Sequence, residues 1–101
     1  MTSQRQKRAP SELGQRLKLV RESAGIDDEA LSAAAGLSRT HVHSIEVGWI
    51  LNPRTETVLV LAQVLGAPLD YLVAGRGRPP TPGRVKAAFK RATQQQAQAQ
   101  A

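Results

Sequence analysis

The sequence contains no cysteine. That excludes a disulfide framework, an iron–sulfur cluster and a thiolate zinc site, and it fits a reducing compartment. Aromatic residues are nearly absent too: Trp49, Tyr71 and Phe89 are the full set. Any core must therefore be aliphatic. No apolar run approaches the ~18 residues of a membrane-spanning helix. The opening Met1–Arg8 leads into no apolar stretch, so no secretory leader is expected. No stretch alternates with a period of two, so strands are not expected. Catalytic patterns are missing as well. There is no Ser/His/Asp grouping, no carboxylate pair and no phosphate-cradling glycine loop, so neither an enzyme nor a cofactor is expected. His41 and His43 lie about 200° apart on a helix and cannot share a metal as an i,i+4 pair does.

What is present is 101 residues, 41% of them apolar. That suffices for one small domain with a modest core, not for two enzyme-sized ones. The net charge of +6 is unevenly placed. Residues 12–74 hold five basic residues and all eight acids, a net of −3. Arg5, Lys7 and Arg8 precede that segment, and Arg76, Arg78, Arg84, Lys86, Lys90 and Arg91 follow it. A mildly acidic centre thus carries two basic arms. Such arms either seek polyanions or act as solvated tails.

Residues 1–10 read as a flexible basic arm and 11–75 as the domain. Residues 76–83, Arg-Gly-Arg-Pro-Pro-Thr-Pro-Gly, read as a linker, because proline lacks the N–H donor and fixes φ. Residues 84–101 form a basic, then Gln/Ala-rich tail. A short helix over 84–93 would set Val85, Phe89 and Ala92 on one side, and the stretch after it is expected to fray.

Five short helices are expected within the domain. The first opens near Ser11 and aligns Leu13, Leu17 and Val20. The second opens at Asp27 or Asp28, whose carboxylates suit a helix N-terminus, and stops at Gly36. The third runs from Ser38 to about Val47. The fourth runs from Arg54 or Thr55 to Leu65, with Val58, Leu61, Ala62 and Leu65 inward. The fifth follows Pro68 and ends at Gly75. Between the second and third, Ala33-Ala34-Ala35-Gly36-Leu37-Ser38 has the form of a helix-turn-helix. The alanines permit close approach, Gly36 supplies a turn conformation, Leu37 plugs the core and Ser38 caps the next helix. On the third helix Val42 and Ile45 face one way. Arg39, Thr40, His43 and Ser44 face the other.

The matching stretches are Leu13-Gly14-Gln15-Arg16-Leu17 with Arg21, then Ala35-Gly36-Leu37-Ser38-Arg39 and Ile45-Glu46-Val47-Gly48. Asn52-Pro53, Glu56-Thr57, Leu61-Ala62, Leu65-Gly66 and Leu69-Asp70 complete the series. On these, residues 13–74 resemble the phage-repressor/Cro-like (xenobiotic-response-element type) helix-turn-helix regulators. The resemblance implies an all-α, compact five-helix lambda-repressor-like bundle with basic N- and C-terminal arms. It implies a homodimer on double-stranded DNA, a cytoplasmic and nucleoid-associated place, and a repressor's role in transcription. It puts base-edge contacts at Arg39, Thr40, His43 and Ser44. Backbone contacts are expected from Ser38, His41, Trp49, Arg54 and the arm residues Arg5, Lys7 and Arg8. Arg21 and Glu46 match the family's internal ion pair; the other reading of them is two exposed charges.

Two departures stand out. Asp28 occupies a position where the family usually has a phosphate-holding Gln, flanked by Asp27 and Glu29. Three carboxylates oppose an anion there. The loop Trp49-Ile50-Leu51 is apolar where the family is polar. Together with Val60, Val64 and Leu72, Ile50 and Leu51 are candidates for a dimer contact, or else for peripheral core. These departures keep a second reading open: an antitoxin-like module on the same fold that neutralises a partner protein, with DNA binding secondary.

Overall fold

Ser11 starts the first helix. Its hydroxyl accepts a hydrogen bond from the Gly14 N–H at 3.1 Å, which satisfies one free donor of the first turn. The computed structural model describes residues 10–100, and among them it has six helices and no strand. They are α1 (Glu12–Ser23), α2 (Asp28–Ala34), α3 (His41–Glu46), α4 (Thr55–Leu65), α5 (Leu69–Ala74) and α6 (Pro82–Gln100). Arg5, Lys7 and Arg8 lie outside the described residues. No helix among the described residues is long and apolar enough to cross a membrane.

The core is aliphatic. Leu17 and Val20 of α1 meet Leu31 of α2, Val42 and Ile45 of α3, Leu61 and Leu65 of α4 and Leu72 of α5, all buried. Arg16 closes the far side. Its guanidinium donates to the Leu72 and Val73 carbonyls, both at 2.9 Å, tying α1 to the open end of α5.

The sixth helix corrects the expectation of a five-helix bundle with a loose C-terminal arm. Thr81 accepts from the Arg84 N–H at 3.3 Å, and Pro82 takes the first helical position, where its missing donor costs nothing. The helix then continues through the Gln/Ala tract, which is built of good helix formers. Val85, Ala88, Phe89 and Ala92 recur at helical spacing and pack inward; Val85 is fully buried. Burial of a valine contributes about 1.5–3 kcal/mol, so α6 belongs to the core. It meets α4 at Gly66, whose φ is +61°. A Cβ there would lie 2.7 Å from the Ala88 Cβ, so glycine supplies both the turn and the room.

This docking also revises the dimer candidates. Val64 is buried and Val60 half-buried, because α6 covers that stripe of α4. Leu72 is enclosed by the same chain. An apolar stripe looks identical in sequence whether a second subunit or the chain's own tail covers it.

Candidate nucleic-acid interface

Helices α2 and α3 and the turn between them are held from three sides. At Gly36 the chain turns with φ +73°, and the Leu37 N–H returns to the Ser32 carbonyl at 2.8 Å, closing α2. Leu37 then packs on the core. The next helix begins later than the expected Ser38. Ser38, Arg39 and Thr40 form a turn whose bond runs from the His41 N–H to the Ser38 carbonyl, and no side chain at Thr40 caps α3. The cap expected from Ser38 comes instead from Ser32, one helix earlier. Its buried hydroxyl accepts from the Val42 N–H at 3.1 Å. The one polar side chain within Leu31-Ser32-Ala33-Ala34-Ala35 was the available signal.

From α1 come a contact and a clamp. Gly14 packs so tightly that a Cβ would lie 2.5 Å from the Ile45 carbonyl oxygen. Backbone against backbone sets how deep α3 sits. Arg21 donates through Nε and Nη2 to both Glu46 oxygens, each at 2.7 Å, and through Nη1 to the Ile26 carbonyl at 2.6 Å. The two side chains are 11% and 3% exposed. The pair therefore ties α1, the α1–α2 loop and the last turn of α3 together, out of water.

With Val42 and Ile45 fully buried, the other edge of α3 and its turn faces outward. Arg39, Thr40 and His43 are exposed. Ser44 is half-buried and its hydroxyl donates to the Thr40 carbonyl at 3.0 Å, which turns it toward its own helix. Ser38 is exposed and His41 half-buried. Trp49 is 66% exposed and stands edge-on to His43, with ring centroids 5.7 Å apart. Ile50 turns inward against the core, and Leu51 is half-buried. Arg54 is exposed at the start of α4.

The acids at the start of α2 serve this edge. Asp27 accepts from the Glu29 and Ala30 N–H groups at 3.1 and 3.4 Å, so a carboxylate of the chain itself fills the place where an anion would bind. Asp28 Oδ2 lies 3.3 Å from His43 Nδ1, and Glu29 Oε1 lies 3.3 Å from Arg39 Nε. Neither contact was legible in the sequence, where ten and fifteen residues separate the partners. Exposed pairs of this kind contribute little to stability. Their effect is to hold two of the outward side chains against α2.

A family model described as a helix-turn-helix domain matches residues 12–74. No curated protein and no solved structure matches the chain. The matched span holds α1 to α5 and stops before α6. By that match, and by the two helices and turn described above, the chain belongs to the helix-turn-helix domain family, whose domain is one of DNA binding and transcription regulation.

Proposed function

We propose that this protein is a sequence-specific double-stranded DNA-binding regulator of the Cro-like, xenobiotic-response-element type. It represses transcription as a homodimer on a pseudo-palindromic operator, in the cytoplasm at the nucleoid. The observation that carries the reading is the two-sided third helix. Val42 and Ile45 are fully buried while Arg39, Thr40 and His43 stand in solvent. A helix seated this way can enter a major groove with its outward edge on the bases. Arg39 then donates twice to guanine, Thr40 meets a base edge or a thymine methyl, and His43 adds a further polar contact. Ser44, turned to its own backbone, contributes least. Ser38, His41, Trp49 and Arg54 flank the edge and take phosphate or sugar. Arg5, Lys7 and Arg8 extend this to the arm.

Selection of bound oligonucleotides from a random duplex pool tests the reading. Two half-sites about 34 Å apart are expected for a homodimer; a pool that stays random overturns it. Arg39→Ala is expected to weaken binding to the selected duplex by about 5- to 150-fold, the ~1–3 kcal/mol of one bidentate base contact. Its folding should be unchanged, since the side chain is 79% exposed. Equal affinity of variant and parent would remove Arg39 from the interface.

Asp28→Gln is expected to tighten binding. A carboxylate about 4 Å from a phosphate costs on the order of 1 kcal/mol even in a water-like dielectric, close to a fivefold change in affinity by titration. Weaker binding would mean that Asp28 positions His43 rather than repelling DNA.

The antitoxin-like reading draws on a different observation. Leu13, Leu51, Pro53, Leu69 and Val73 line an open groove of about 560 Å³ on the α1–α5 side. A chain that binds no duplex but forms a stoichiometric complex with one partner protein through this groove would favour that reading.

A further inference from the structure

The last acid in the sequence is Asp70, and six cations follow it: Arg76, Arg78, Arg84, Lys86, Lys90 and Arg91. All six are exposed. Among the described residues, Arg16, Arg21 and Arg39 each have a carboxylate partner, and none of these six does. Four of them lie on α6, whose inward side is occupied by Val85, Ala88 and Phe89. The helix is fixed at two points. Near its start it packs on Gly66. Near its end the Gln96 amide nitrogen donates to the Ala33 and Ala34 carbonyls at 2.8 and 3.0 Å, closing the C-terminus of α2. The unpaired charges are thus mounted on the same body as the helix-turn-helix.

We infer that the outer face of α6 is a second nucleic-acid contact, which grips the phosphate backbone of duplex DNA without reading its sequence. The inference rests on the DNA-binding reading and extends it to a helix outside the matched family span. Charge selects the occupant. An array of like charges with no acid among it calls for a polyanion, and release of condensed counterions from a duplex supplies the driving force. A fixed helix holds these cations in place before binding, which lowers the entropy lost on contact. An anionic membrane suits the face less well. Its large apolar residues point into the core, so no apolar edge remains to enter a bilayer.

The test uses the full chain with Arg84→Gln, Lys86→Gln, Lys90→Gln and Arg91→Gln combined. Glutamine keeps helix propensity while removing charge. Affinity for the selected duplex and for a random-sequence duplex is followed by anisotropy across salt concentrations, with circular dichroism as the check on folding. The slope of log affinity against log salt is expected to fall by about 3–4, near 0.9 per phosphate released. The preference for the selected duplex is retained. An unchanged slope in a folded variant overturns the inference, and Arg39→Ala still losing its preference would leave the DNA-reading helix intact. The converse also separates the two. A lower slope with no preference for any sequence supports the α6 contact and overturns the sequence-specific reading. Absence of duplex binding by the parent chain overturns both. Charge-dependent binding to phosphatidylserine vesicles, with the DNA slope unmoved, reassigns the face to lipid.

Discussion

Glu46→Ala is expected to destabilise the fold by about 3–5 kcal/mol, the cost of leaving one member of a buried ion pair alone. A small domain has only about 5–15 kcal/mol in total, so this substitution brings the chain close to unfolding. The magnitude follows from geometry. Glu46 is 3% exposed, and both of its oxygens accept from Arg21 at 2.7 Å. Removing them leaves a guanidinium that is 11% exposed with the Ile26 carbonyl as its remaining close partner. The pKa of Arg21 is pushed above its ordinary value, chiefly by the hydrogen bonds to Glu46 and against the effect of burial. A raised basic group gives its full stabilisation below the unfolded pKa and loses it only above the folded one. For arginine that window spans the neutral range entirely. Urea denaturation of parent and variant measures the effect at pH 7. Glu46→Gln, which keeps the shape and one acceptor, should fall between them. A loss within about 0.5 kcal/mol, the scale of ordinary surface changes, would show that the pair does not hold α3.

Val85→Asp is expected to release α6 from the bundle. Valine at 85 is fully buried. The variant forfeits about 1.5–3 kcal/mol of apolar burial, and a carboxylate without a partner cannot remain in that site at low cost. The chain can relieve the strain by undocking α6, which then exposes Val64, Leu65 and Ala88. A fall in melting temperature of roughly 10–20 °C is expected, taking about 4–8 °C per kcal/mol for a domain of this size. Hydrogen exchange should show protection lost first across residues 82–96. Unchanged protection and melting would mean that α6 is not part of the core. A variant that keeps α1–α5 folded would show that the matched span stands without its sixth helix.

The outcome at particular residues shows what was legible. Ser11, Gly36, Gly66 and Gly75 mark helix limits in the sequence because capping and left-handed turns are local demands. Val42 and Ile45 announce the buried side of α3 by spacing alone. The start of α3 was placed at Ser38 because a serine before a helix is the usual cap; the structure uses Ser32, since a hydroxyl from the previous helix reaches the same N–H. Asp28 and Glu29 read as a phosphate-repelling cluster, and nothing local says that they meet His43 and Arg39. Val60 and Val64 read as a surface for a second subunit. Ala88, which completes the stripe on α6, is too small to signal itself beside Val85 and Phe89.

The sequence by itself determined an all-helical chain, a helix-turn-helix between residues 27 and 47, and which side of its second helix is apolar. Those follow from periodicity, caps and turn residues acting over a few positions. Only the tertiary structure decided that the tail is a sixth core helix, that the acids of α2 engage the reading edge, and that six C-terminal cations are left without partners. Each of these depends on which segments of a folded chain come within a few ångströms, and such distances are not carried by neighbours in sequence.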